Sequence, residues 1–68
     1  MSETYHRYRV WMTIRGSIIK PSYSGYTDVW AAGDHDAEER AITETRRTAH
    51  WDSPRDSFRV DRVERLDR

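Results

Sequence analysis

The sequence predicts a small α+β fold in which two strands, one helix and a third strand follow one another within 68 residues. Three observations predict it: apolar and polar side chains alternate over residues 6–15, an acidic helix start follows Gly33, and residues 57–66 again have strand chemistry. If the helix crosses one face between the second and third strands, the first strand lies between them. We therefore expect a three-stranded antiparallel sheet in the order 2-1-3.

The first strand is predicted over residues 6–15 because its side chains alternate with a period of two. One phase is apolar and is expected to face the core: Tyr8, Val10, Met12 and Ile14. The other phase carries Arg9, Trp11 and Arg15, which we expect on the opposite, outer face.

Residues 16–25 have the composition of a loop, with two glycines, three serines and one proline. Ile18 and Ile19 are expected either to lengthen the strand or to pin this loop. A second strand is predicted over residues 26–32, with Val29 facing inward and Trp30 outward, on the side of Trp11.

The only helix is predicted after Gly33, with either Asp34 or Asp36 as its cap and a capping box between Asp36 and Glu39. Small residues recur every four positions and should let the helix lie close to a sheet: Ala37, Ala41, Thr45 and Ala49. Residues 52–54 should end the helix, with Trp51 plugging its C-terminus.

The last element, residues 57–66, is predicted to be a strand, although Val60, Val63 and Leu66 also fit a helix. A helix here would leave a bare two-stranded sheet, which favours the strand. Phe58 and Val60 share a phase that Val63 does not, so we expect a bulge near Asp61 or Arg62.

Length and composition limit the functional classes. The chain has room for one domain, residues 1–68, with residues 1–4 expected to fray. It has no cysteine, no apolar run of membrane-spanning length and no apolar signal-peptide core, so we expect a cytoplasmic protein without membrane contact. We expect a monomer or a weak homodimer that pairs through the exposed tryptophans.

The charges balance, with 12 basic and 12 acidic residues, but they are unevenly distributed. Residues 1–27 carry +3, residues 28–45 carry −5 and residues 46–68 carry +2. A chain with no net charge has no overall field to attract a polyanion, which lowers the expectation of nucleic-acid binding.

No residue set predicts catalysis, a metal site or a cofactor. No two of the three histidines have the i, i+4 spacing of a helical zinc motif, and no serine has a nucleophile-elbow motif around it. We therefore expect a protein that is not an enzyme.

Two surfaces are candidates for partner binding. The first combines outward tryptophans and arginines with arginines of the third strand: Arg9, Trp11, Arg15, Trp30, Arg59, Arg62 and Arg65. This composition is typical of protein interfaces and also suits binding of single-stranded nucleic acid. Alternatively, the tryptophans only stabilise the fold as a cross-strand aromatic pair. The second is an acidic patch that is equally typical of a solvated helix start: Asp34, Asp36, Glu38 and Glu39.

The last strand also resembles that of a known family. Its residues follow the pattern F-x-V-x-R-V, found in small podophage proteins that inhibit host RNA polymerase early in infection: Phe58, Val60, Arg62 and Val63. The passage from strand into helix is similar too, with an outward aromatic, an alanine and an acidic-capped helix: Trp30, Ala31, Glu39, Ala41 and Ile42.

This resemblance spans residues 8–66 and implies a non-enzymatic protein that binds the jaw of bacterial RNA polymerase and blocks open-complex formation. It implies that basic residues of the third strand contact the polymerase. Arg62 falls on one such position, whereas the second holds Glu64, with Arg65 beside it. The leading hypothesis is thus a phage-type inhibitor of a bacterial host protein, either RNA polymerase or a host defence complex. A nucleic-acid-binding module is the alternative.

Overall fold

The computed structural model describes residues 4–67 and has the predicted β-β-α-β order. Its elements are β1 (His6–Ile14), β2 (Tyr23–Ala31), α1 (Asp34–Thr48), a 3-10 turn (Arg55–Ser57) and β3 (Phe58–Arg65). The strands form one antiparallel sheet in the order β2-β1-β3, which confirms the predicted α+β fold. Of the segment expected to fray, residues 1–3 lie outside the described residues, and Thr4 belongs to no helix or strand.

The pairing of β1 differs on its two sides. With β2 it pairs in unbroken register from His6 opposite Ala31 to Ile14 opposite Tyr23. With β3 the register shifts between Trp11 and Met12, so that Asp61 is an extra residue. The predicted bulge is therefore confirmed, and the helical interpretation of residues 57–66 is wrong, because this segment completes the sheet.

The core lies between α1 and one face of the sheet. The apolar phase of β1 is buried as predicted: Tyr8, Val10, Met12 and Ile14. From α1, Ala37 and Ala41 are fully buried, because side chains this small let the helix backbone approach the strands. Ala49, the last member of the predicted stripe, is exposed because α1 ends at Thr48.

The start of α1 departs from the predicted capping box. Gly33 is the N-cap residue and offers no side-chain hydrogen bond. Instead, the Asp36 carboxylate reaches back and accepts a hydrogen bond of 3.0 Å from the backbone N–H of Ala32. Glu39 takes no part, because it accepts hydrogen bonds from Arg55 at 2.6 Å.

The β1–β2 loop and the helix C-terminus also differ from the predictions. β2 begins at Tyr23, so the loop is shorter than predicted, and neither Ile18 nor Ile19 packs against the protein: both are almost completely exposed. Trp51 is 79 % exposed and does not plug the end of α1. No helix within residues 4–67 is long and apolar enough to cross a membrane.

Candidate protein-binding face

The face of the sheet opposite α1 is uncovered by any other described element, and we call it the outer face. Strand register brings its side chains into rows that run across β2, β1 and β3. The central row holds Tyr26, Trp11 and Arg62. Trp30, 59 % exposed, lies opposite Arg7 in the row nearest the end of β2.

The central row is a layer of aromatic rings and a cation. The ring centroids of Trp11 and Tyr26 lie 6.1 Å apart with planes tilted by 52°, within the range of favourable aromatic pairs. The Arg62 guanidinium lies 4.8 Å from the Trp11 ring centroid, in cation–π range. This packing leaves Trp11 half-buried although no helix covers it.

The next row is organised by Arg9. Its guanidinium donates hydrogen bonds of 2.9 and 3.0 Å to the two carboxylate oxygens of Asp28. It also lies 4.3 Å from the Tyr26 ring centroid, so one side chain joins the two rows. The hydrogen bond with Arg9 lowers the pKa of Asp28 against the opposing effect of burial.

The arginines of β3 on the outer face are paired as well. Arg62 donates a hydrogen bond of 2.6 Å to Glu64, and Arg59 donates one of 2.8 Å to Asp61. The Thr13 hydroxyl donates to Asp61 at 2.7 Å, and this bond, followed by that from Arg59, lowers the pKa of the Asp61 carboxyl. The bulge therefore places a carboxylate on the outer face between two strands.

The structure brings together most of the basic and aromatic residues predicted to bind a partner. Arg9, Trp11, Trp30, Arg59 and Arg62 all lie on the outer face.

Two of the predicted residues lie elsewhere. Arg65 is opposite Tyr8 and so belongs to the helix side of the sheet, because the extra residue at the bulge reverses the phase of the strand. Arg15 lies beyond the end of β1, where its backbone N–H donates to the Ser57 carbonyl at 2.8 Å.

The predicted acidic patch lies on α1, away from the outer face. Asp34 and Glu38 carry no ion pair within the described chain, whereas Asp36 is 2.9 Å from Arg40 and Glu39 is 2.6 Å from Arg55. Because half of the patch is already neutralised by arginines, it is not a continuous anionic surface.

The sequence places Tyr26 and Asp28 in the outward phase of β2, but it did not identify them as candidate binding residues. Their phase, shared with Trp30, was the available signal. Sequence reasoning also missed the exposed apolar side chains of the β1–β2 loop and of the segment after α1. An ion pair between Lys20 and Asp52 joins these two segments. Ile18, Ile19 and Trp51 belong to these two segments, but no periodicity in the sequence predicts their exposure.

The outer face is close to neutral. Four arginines point from it, Arg7, Arg9, Arg59 and Arg62, and three carboxylates lie among them, Asp28, Asp61 and Glu64. Within residues 4–67, no three histidine, aspartate or glutamate side chains are grouped so that they could hold a metal ion. The face thus combines aromatic surface with guanidinium groups held in place by carboxylates.

No known protein family matches this chain, and comparisons with curated proteins and with solved structures likewise give no match.

Proposed function

We propose that this protein is a non-enzymatic inhibitor that binds a bacterial host protein through its outer face, with RNA polymerase as the leading target. The single observation that carries the proposal is the uncovered sheet face on which Trp11, Tyr26 and Trp30 lie among arginines. Tryptophan, tyrosine and arginine are the residues most enriched among the energetically dominant contacts of protein interfaces.

The side chains of this face are held in place before any partner binds. Arg9 is fixed by two hydrogen bonds to Asp28 and by its contact with Tyr26, and Arg62 is fixed between Trp11 and Glu64. Binding then costs less side-chain entropy than it would for free arginines, which supports a binding role for the face.

The charge of the face favours a protein over a nucleic acid. A nucleic-acid surface gains affinity by releasing counterions from phosphates, and each carboxylate on the face opposes that gain. Asp28, Asp61 and Glu64 lie among the four arginines and offset most of their charge. The exposed Trp30 ring, available for base stacking, is the observation that keeps nucleic acid as a second candidate.

The choice of RNA polymerase draws on the resemblance to podophage inhibitors. Arg62, at the third-strand position that the resemblance assigns to polymerase contact, projects from the outer face beside Trp11. The same surface would serve an inhibitor of a host defence complex, which differs only in the identity of the partner.

The proposal is tested by measuring binding of purified bacterial RNA polymerase to the immobilised protein at physiological salt. Tyr26→Ala, in the central row of the outer face, should weaken binding by about tenfold or more. Tyr23→Ala is the matched control, because Tyr23 is similarly exposed but lies on the helix side of the sheet. Equal loss in both variants, or no binding by the wild-type protein, would reject the proposal. A mobility shift of single-stranded nucleic acid that weakens steeply with salt would favour the second candidate.

A further inference from the structure

A cleft lies between the β1–β2 loop and the segment that follows α1. Its volume is about 620 Å³, within the range of pockets that hold small organic ligands. An ion pair between Lys20 and Asp52 joins its two walls. Tyr23 and the buried Ile14, which both belong to the helix side of the sheet, also line it. The cleft is therefore separate from the outer face and plays no part in the proposed function.

Aromatic and prolyl rings give the cleft flat apolar surface. The rings of Tyr23 and His50 contact each other, with centroids 5.2 Å apart and planes tilted by 44°. Pro21 adds a ring from the loop, and Pro54 adds one from the opposite wall. Ligand pockets are lined mostly by apolar and aromatic groups of this kind, with a few polar groups that fix the ligand. These walls favour a ligand that contains a planar ring.

The serine hydroxyls of the loop are hydrogen-bond donors without acceptors. The Ser17 oxygen accepts the backbone N–H groups of Ile19 and Lys20, both at 3.2 Å, and the Ser22 oxygen accepts that of Gly16 at 3.1 Å. A hydroxyl oxygen has two lone pairs, so Ser17 can form a further hydrogen bond only by donating. Neither hydroxyl donates to another group within residues 4–67. The cleft therefore favours a ligand rich in acceptors.

The charge of the cleft is +1 when its ion pair is counted and histidine is taken as neutral. Two cations and one anion line it: Arg15, Lys20 and Asp52. Lys20 and Asp52 neutralise each other, whereas Arg15 forms no ion pair in the part of the chain that the structure describes. Asp56 does not line the cleft. One guanidinium is thus available to a ligand, which favours a single negative charge.

We propose that this cleft binds a small organic acid in which a carboxylate is attached to a planar ring. The carboxylate has acceptors only, and it would pair with Arg15 and accept hydrogen bonds from Ser17 and Ser22. The ring would pack beside Tyr23 and His50. Such a ligand would contact both walls and hold the two segments together.

The experiment titrates benzoate into the isotope-labelled full chain at neutral pH, with benzamide as the uncharged ligand of the same shape. Benzoate should shift the amide resonances of residues 14–23 and 50–57 and raise the thermal midpoint. Benzamide should bind about tenfold more weakly, because it lacks the charge-assisted hydrogen bonds with the guanidinium. Equal binding of the two, no binding of benzoate, or benzoate shifts centred on the outer face would overturn the proposal.

Matched variants test the role of the guanidinium. Arg15→Gln should weaken benzoate binding about tenfold. Arg65→Gln makes the same change at the other end of β1, opposite Tyr8, and should leave binding unchanged. Both arginines are exposed, so both variants should fold. Equal weakening in the two variants, or none in Arg15→Gln, would overturn the proposal.

A third variant tests the ring contact and separates this site from the outer face. Tyr23→Ala removes one ring of the cleft and should weaken benzoate binding, whereas it should leave binding through the outer face unchanged. Benzoate binding that is unaffected by Tyr23→Ala would overturn the proposed position of the ring.

Discussion

Arg9 and Asp28 face each other across β1 and β2 on the outer face and are joined by two hydrogen bonds, of 2.9 and 3.0 Å. The same guanidinium lies 4.3 Å from the Tyr26 ring centroid, and Tyr26 in turn contacts Trp11. An ion pair therefore sets the position of the aromatic rings on a sheet face that no helix covers. This explains how the face stays ordered although it is open to solvent.

Replacing Arg9 by lysine tests this arrangement. Lysine keeps the charge but cannot form two parallel hydrogen bonds to one carboxylate or lie flat on a ring. We expect Arg9→Lys to fold, to lower the thermal midpoint and to increase the mobility of the Tyr26 ring, measured by calorimetry and by side-chain NMR. Arg47→Lys, which alters an exposed pair with Glu44 on α1, should change neither quantity appreciably. An Arg9→Lys variant indistinguishable from wild type would show that the pair does not position Tyr26.

The close approach of α1 to the sheet depends on the size of Ala41. This side chain is fully buried, so Ala41→Leu must push the helix away from the strands. We expect a loss of about 1–3 kcal/mol in the free energy of unfolding, measured by urea denaturation. Ala49→Leu makes the same change at an exposed position just after α1 and should have little effect. An equal loss in both variants would contradict the proposed helix–sheet contact.

The β1–β2 loop depends on Gly16. A Cβ atom at this position would lie 2.5 Å from both the Lys20 carbonyl oxygen and the Ser22 nitrogen, and backbone atoms cannot move aside as a side chain can. Gly16→Ala should open the loop, lower the thermal midpoint and disturb amide resonances of residues 15–22. Gly33→Ser is the control, because a Cβ atom there meets nothing within 4 Å. An unperturbed Gly16→Ala spectrum would mean that the loop has a different conformation.

Stability should fall in acid because several carboxyl groups have lowered pKa values in the folded state. A hydrogen bond from Arg9 lowers the pKa of Asp28, one from the Ala32 N–H lowers that of Asp36, and one from the Thr13 hydroxyl lowers that of Asp61. As the pH falls, the unfolded chain therefore binds protons before the folded protein does. The stabilisation that these carboxylates contribute is complete above the ordinary carboxyl pKa of about 4. It is lost as the pH falls through the lower folded values.

Thermal midpoints measured between about pH 3 and 7 should therefore drop steeply only below about pH 4. Asp28→Asn should make that drop shallower, since one of the responsible groups no longer titrates. A midpoint that falls mainly between about pH 5 and 7 would point to other groups and contradict this account.

The strand order and the core face followed from the sequence because they depend on strong periodic patterns. The alternation of β1 identified its four buried residues, and the phase change between Val60 and Val63 located the bulge. Local composition misled where tertiary pairing decides the structure. Ser24 and Gly25 have loop chemistry, yet together with Tyr23 they extend β2 because β1 offers all three a pairing partner. At Gly25 a Cβ atom would meet the Tyr23 ring, so glycine makes room for that ring.

The candidate site was predictable to the same degree. Its tryptophans and most of its arginines followed from strand phase, whereas Arg65 was assigned to the wrong surface. The bulge moves every later residue of β3 to the opposite face, so Arg65 would project outward only from a strand without a bulge. The ion pair of Arg9 with Asp28 joins residues 19 positions apart in sequence, and no local pattern indicates it.

The most direct test of the account is promoter-dependent transcription by purified bacterial RNA polymerase in the presence of micromolar protein. Wild-type protein should inhibit it, and Arg62→Glu, which reverses one charge on the outer face, should abolish the inhibition. Arg47→Glu makes the same change to an ion-paired arginine on α1 and should inhibit as wild type does. Unaltered transcription with wild-type protein, or equal inhibition by Arg62→Glu, would contradict the account.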